Sequence, residues 1–183
     1  MVRTADRTTG FTLIELLISL TLVAILVAVA LPSYQSLRQE QIAKAATQAV
    51  YTDMMLLKSE AIKLNKPITF KIFNAGQANW CYRIAIDGTC DSCADMCSSI
   101  EGRKGVDANE FHGVILSTNY ELSGSENAIE INNRRSVFKD IHSGGGLGTG
   151  SICLKNGEAE YRVIVAQNGR VRTSNVTGVS PCD

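Results

Sequence analysis

The chain has 183 residues, 45% of them hydrophobic, and its 18 lysines and arginines are balanced by 18 aspartates and glutamates. This balance excludes a protein that is basic or acidic throughout, so any anion-binding role must rest on how the charges are distributed. Beyond a leader and an apolar run near the N-terminus, about 150 residues remain, enough for one compact domain but not comfortably for two.

Residues Met1 to Gly10 are short and polar, with Arg3 and Arg7 against Asp6. From Phe11 to Leu31 there follow twenty-one residues with a single ionisable side chain, Glu15. As a helix this run is long enough to cross ~30 Å of hydrocarbon, and it reads as a membrane span. The ordinary alternative is a secretory signal, for which Ala28-Val29-Ala30 offers a cleavage site. Two features oppose that alternative. The run exceeds the ~7 to 15 apolar residues of a usual signal core, and a carboxylate lies inside it. Such a carboxylate costs roughly 2.5 to 3.5 kcal/mol on insertion, which marks Glu15 as a functional residue.

Gly10-Phe11-Thr12-Leu13-Ile14-Glu15 resembles the processing site of type IV pilins and of the pseudopilins of type II secretion. In that family a prepilin peptidase cuts after the glycine, methylates the new terminal residue and leaves a glutamate five residues into the mature chain. The resemblance implies cleavage between Gly10 and Phe11, methylation of Phe11, and pairing of Glu15 with the terminal amine of a neighbouring subunit in a filament. Pro32 matches a proline that family members commonly carry. An unpaired Glu15 in lipid is unfavourable, and an amine from another copy relieves it, so assembly becomes the low-energy state.

After the span, Ile42, Ala46, Val50, Met54, Leu57, Ala61 and Leu64 recur at steps of three and four, one face of an amphipathic helix. Gln39, Glu40, Lys44, Gln48, Lys58 and Lys63 occupy the opposite face. One long helix is expected to begin in lipid and end on a globular head, with Pro32 as a kink. Asn65-Lys66-Pro67 ends it. The expected organisation is a leader over 1–10, a transmembrane half-helix over 11–31, an amphipathic half over 32–65 and a β-rich head over 66–183.

From Pro67 the period changes to two. Ile68–Phe73 and Trp80–Ile86, separated by Asn74-Ala75-Gly76, predict an antiparallel hairpin. Further strands are predicted over Gly113–Thr118, Ala128–Asn132, Ile152–Leu154, Tyr161–Ala166 and Arg170–Ser174. A long helix followed only by strands gives an α+β, pilin-like fold, the helix packed on an antiparallel β-sheet.

Cys81, Cys90, Cys93, Cys97, Cys153 and Cys182 form an even set in a domain expected outside the cytoplasm, where disulfides are the default. Six cysteines allow fifteen pairings. We expect Cys153 to tie down the tail through Cys182 and leave the rest open. Zinc is the competing use, because Cys90-x-x-Cys93 with Cys97 offers thiolates. The second pair of a four-cysteine site is missing, however, and neither His112 nor His142 has ligand spacing, so no metal site is assigned.

The run Ser143 to Ser151 contains five glycines but fits no phosphate-loop template: no lysine follows Gly150, and no G-x-G-x-x-G register exists. It reads as a linker. With two isolated histidines and no nucleophile motif, the sequence offers no catalytic residues and no cofactor site, and we expect a protein that is not an enzyme.

Charge is unevenly spread. Between Gly76 and Glu130 three basic residues face nine acidic ones, a net of minus six. Between Arg134 and Arg172 seven basic residues face three acidic ones, a net of plus four. Within that basic third, Asn168-Gly169 between two strand-like runs is a strong hairpin signal. Arg170 and Arg172 then share a strand face with Cα atoms ~6.8 Å apart, close enough for one polyanion to engage both, although on spacing alone an ordinary turn beside two solvated arginines is the favoured reading.

Gly169-Arg170-Val171-Arg172 is similar to the G-R-x-R motif of the FimT branch of the FimT/GspH group, minor pilins implicated in DNA uptake during natural transformation. The resemblance implies that Gly169 permits the turn while Arg170 and Arg172 contact DNA phosphates without regard to base sequence. Arg134, Arg135, Lys139 and Lys155 extend the patch on charge alone. The partners implied are other pilins or pseudopilins, a prepilin peptidase, DNA, and the inner membrane before assembly, with the head in the periplasm. A type II secretion pseudopilin acting through protein contacts, without DNA, is the alternative.

Overall fold

The computed structural model describes residues 11–86, 90–95, 97, 105–120, 127–131, 137–140, 149–180 and 182. Gly10, Arg134, Arg135 and most of the glycine-rich run lie outside them. The chain divides into two units, Met1–Leu37 and Arg38–Asp183.

One helix, α1, runs from Leu13 to Leu64. Thr12 starts it: its hydroxyl accepts the backbone N–H of Glu15 at 3.3 Å, half of a capping box in which Glu15 is the acidic third residue. The helix continues through Pro32, whose ring removes one backbone donor. In the first unit every side chain from Phe11 to Leu37 is exposed. This part of α1 is long and apolar enough to cross a membrane.

In the second unit the expected stripe is largely the buried one. Ala46, Val50, Met54, Leu57 and Ala61 are buried, and Ile42 packs half-buried against them. Leu64 is exposed because the helix stops there: Asn65 takes a left-handed φ of 51°, and Pro67 follows. Three polar residues share the buried stripe, and each has a partner. Thr47 donates to the Ala43 carbonyl at 2.8 Å, Glu60 pairs with Lys63 at 3.1 Å, and Asp53 accepts the Tyr82 hydroxyl at 2.7 Å.

Among the described residues nine strands follow: β1 Ile68–Phe73, β2 Cys81–Ile86, β3 Gly105–Asp107, β4 Ile115–Thr118, β5 Asn127–Ile131, β6 Phe138–Asp140, β7 Gly150–Asn156, β8 Ala159–Val165 and β9 Val171–Asn175. They form two antiparallel sheets in place of the single sheet expected. One has the order β3-β2-β1-β5-β6 and the other β4-β7-β8-β9. The β1–β2 hairpin pairs Ile68 with Ile86 and Phe73 with Cys81, as the alternation predicted. Trp80 lies just before β2, buried, its indole N–H donating to the Val114 carbonyl at 2.6 Å.

Both sheets and α1 share one core. Ile68, Phe70 and Ile72 alternate inward from β1, Tyr82 and Ile84 from β2, Ile152 and Leu154 from β7, and Val163 and Val165 from β8. The Phe70 and Tyr82 rings stack at 4.7 Å. Gly150, expected in a linker, opens β7 instead. A Cβ there would come within 2.2 Å of the Tyr120 ring, which explains the glycine without any phosphate-binding role.

Candidate functional site

Phe11 precedes the helix with its side chain 80% exposed. One turn on, the Glu15 carboxylate is exposed, with no hydrogen bond or ion pair among the described residues. Its carbonyl accepts the Ser19 hydroxyl at 2.8 Å, one turn further along the helix.

The C-terminal turn is built differently from a two-residue Asn-Gly hairpin. The Gly169 N–H donates to the Ala166 carbonyl at 2.9 Å, and the Ala166 N–H donates to the Arg170 carbonyl at 2.9 Å. Only Gly169 is left-handed, with φ 81°, while the Asn168 side chain accepts the Arg170 N–H at 3.1 Å. This is a β-turn closed by a left-handed glycine, the common three-residue hairpin loop. Arg170 and Arg172 are exposed on either side of Val171, which packs against the core.

Lys58 contributes to this turn although its helical position suggested solvent. It is half-buried, and its ammonium donates to the Gly169 carbonyl at 3.0 Å, across 111 positions of sequence. Gly169 itself is buried. No local pattern could reveal the contact, because it depends on how the β8–β9 hairpin docks on α1.

The remaining basic residues separate. Lys155 is exposed on β7, in the sheet that ends with β9. Lys139 is on β6, the edge of the other sheet, where the register sets it opposite Glu130. The structure therefore does not bring Lys139 onto the sheet of Arg172. Net charge over a window cannot distinguish the edges of two different sheets.

The cysteines form three disulfides: Cys81 with Cys93, Cys90 with Cys97, and Cys153 with Cys182, their Cα atoms 5.9, 5.4 and 6.2 Å apart. Zinc would need Cys90, Cys93 and Cys97 as thiolates, and here all three are oxidised. The first two bridges hold a loop over the outer face of the five-stranded sheet. Two buried cations lie beneath it, directly opposite each other in the register, Lys71 on β1 and Arg83 on β2. Like charges so placed repel, and the loop offsets this. Lys71 donates to the Cys90 carbonyl at 2.6 Å and lies 3.8 Å from Asp91. Arg83 donates to the carbonyls of Tyr82, Val106 and Cys93 and pairs with Asp107 at 2.6 Å. Within the loop the Asp91 N–H donates to Asp95 at 2.8 Å, and this bond, with the Ser92 hydroxyl, holds the Asp95 carboxyl below the usual range.

A groove of about 440 Å³ lies along α1, lined by Arg38, Gln41, Ile42, Ala45, Glu110, Phe111 and His112. It joins an aromatic ring to charges of both signs.

Residues 46–169 match the family described as type II transport protein GspH. The chain belongs to the GspH family. Residues 6–31 match the prokaryotic N-terminal methylation motif, so this GspH-family chain is a pilin-like minor pilin or pseudopilin. Among solved structures, the minor pseudopilin EpsH from the type 2 secretion system of Vibrio cholerae is similar. The match has 13% identity and a TM-score of 0.50, and it covers 73% of this chain and 96% of that one. At that identity the likeness establishes the fold, a long helix on antiparallel sheets. Comparison with curated proteins gives no match.

Proposed function

We propose that this GspH-family protein is a minor subunit of a type IV pilus or pilus-like filament whose β8–β9 hairpin binds DNA. The observation behind this reading is the exposure of Arg170 and Arg172 on either side of a core-packed Val171, next to a turn anchored by Lys58. Two guanidiniums presented together engage phosphate oxygens bidentately, and the binding is electrostatic and indifferent to sequence. In this reading residues 1–10 are a leader removed by a prepilin peptidase after Gly10. Residues 11–31 hold the precursor in the inner membrane, 32–65 carry the helix into the head, and 66–183 form the head on the periplasmic side. The open carboxylate of Glu15 then takes the Phe11 amine of a neighbouring subunit. The protein acts by binding and assembly, without catalysis.

The second reading is a secretion pseudopilin that works through protein contacts. The type II transport description of the family favours it, and the groove beside Phe111 offers a surface for such a contact.

Duplex DNA binding by the full chain in a non-ionic detergent, disulfides formed, separates the two across a salt series. DNA uptake expects a clear salt slope that the Arg170→Ala plus Arg172→Ala double variant loses. Absence of binding at low salt would leave the secretion reading. Independently, Glu15→Ala is expected to be inserted and cleaved yet fail to enter filaments, and its normal incorporation would remove the assembly role of Glu15.

A further inference from the structure

The register of the four-stranded sheet identifies which residues share a face with Arg172. Arg172 stands opposite Ile164, and Arg162 stands opposite Ser174 on one side and Cys153 on the other. Opposite residues share a face, as do residues two apart on a strand. Arg172 on β9, Arg162 on β8 and Lys155 on β7 therefore lie on one face, the face turned away from Val163, Val165 and the core. Each is the diagonal neighbour of the next, about 7 to 8 Å apart.

We infer that Arg162 and Lys155 continue the anion-binding surface from Arg172, so that a polyanion crosses β9, β8 and β7 diagonally rather than following β9 alone. Three observations support this inference, which rests on the polyanion reading above. Arg162 forms no ion pair among the described residues, and its Nε is a buried nitrogen without a hydrogen-bond partner. Lys155 is exposed.

The third observation concerns Glu160, the one acid in these three strands. It lies on the same face, opposite Lys155, and would oppose an anion. The tail covers it. Ser180 donates to its carboxylate at 2.5 Å, the Val176 N–H donates to its carbonyl at 3.0 Å, and Cys182 is tied to Cys153 on the same face. Glu160 is 8% exposed as a result. The tail masks Glu160, while Arg172 and Lys155 at the two ends of the diagonal stay exposed and Arg162 between them is half-buried.

The test measures fluorescence anisotropy of a labelled duplex with the full chain in non-ionic detergent, disulfides intact, over a salt series. Arg162→Gln is expected to lower the slope of log affinity against log salt by about 0.9, and Arg162→Lys to restore it. A packing role alone would not be rescued by charge. Lys155→Gln, at an exposed site where folding is not at risk, is expected to lower the slope by the same amount. Unchanged slopes in both glutamine variants, with binding still lost in the Arg170 and Arg172 double variant, would overturn the diagonal track and leave the hairpin reading intact. Failure of the unmodified chain to bind either duplex DNA or inorganic polyphosphate would overturn both.

Discussion

The ammonium of Lys58 on α1 reaches the carbonyl oxygen of Gly169, 3.0 Å away, and joins the amphipathic helix to the turn that presents Arg170 and Arg172. Gly169 is left-handed at φ 81°, a conformation that costs a side-chain-bearing residue, so the turn is fixed from within by its glycine and from outside by Lys58. Lys58→Met removes a charge-assisted bond at a half-buried site, with an expected loss of about 1 kcal/mol. For a domain of this size that lowers Tm by about 2–4 °C, and Lys58→Arg should recover part of the loss. A thermal melt that is unchanged in Lys58→Met would show the contact to be energetically idle.

Asp53 and Tyr82 join the same helix to the five-stranded sheet inside the core. The Tyr82 hydroxyl donates to the Asp53 carboxylate at 2.7 Å, and both residues are buried. Tyr82→Phe withdraws a donor from a buried acceptor while keeping the ring stack on Phe70, so the expected cost is about 1–3 kcal/mol. Urea unfolding of the two proteins reads this difference directly as a lower midpoint at unchanged slope.

Tyr161 should titrate late. Its hydroxyl donates to Glu40 at 2.9 Å, and that bond, followed by burial and by the negative charge of the carboxylate, raises the phenol above its ordinary value near 10. The folded state favours the protonated phenol. The stabilisation is therefore present in full below the ordinary phenol range and is lost as pH rises through the raised value. Tyrosinate absorbance should show a phase above the ordinary range that Tyr161→Phe deletes and Glu40→Gln moves down. Tyr120 is raised as well, chiefly by burial, and should be unaffected by either substitution.

Peptide mapping without reduction should recover Cys81 with Cys93, Cys90 with Cys97, and Cys153 with Cys182. Any link between Cys153 or Cys182 and the first cluster would contradict the fold. Replacing Cys153 and Cys182 together by serine should cost about 2–4 kcal/mol, because the unfolded chain regains the freedom of the loop that the bridge closes.

Periodicity made α1 and the β1–β2 hairpin readable, since each follows a regular alternation along its own sequence. It could not give β3 or β6. Three residues are too few to show a period, and these strands exist through their partners, Val106 opposite Tyr82 and Phe138 opposite Ile131. The division into two sheets was equally hidden, because strand order is a property of long-range pairing. The pilin-like N-terminus was legible because its residues are contiguous. The basic face was only half legible: Arg170 and Arg172 sit in a short motif, whereas Lys58 and Arg162 reach them through docking and register. Counting charge by window also admitted Lys139, which the fold assigns to another sheet edge.

The cations under the cystine loop have one more consequence. Lys71 and Arg83 are held largely by main-chain carbonyls, those of Cys90, Cys93, Tyr82 and Val106, and the loop is fixed by sulfur bridges at Cys81, Cys90, Cys93 and Cys97. A carbonyl is the same on every residue. The Ala94 side chain can therefore change without loosening what lies below, whereas the Ser92 hydroxyl, which bonds the Ala94 N–H at 3.2 Å and the Asp95 carboxyl, belongs to the loop's own frame. The loop thus works as a clasp: main-chain oxygens under a sulfur-bridged cover neutralise a pair of cations that the β1–β2 register would otherwise set against each other.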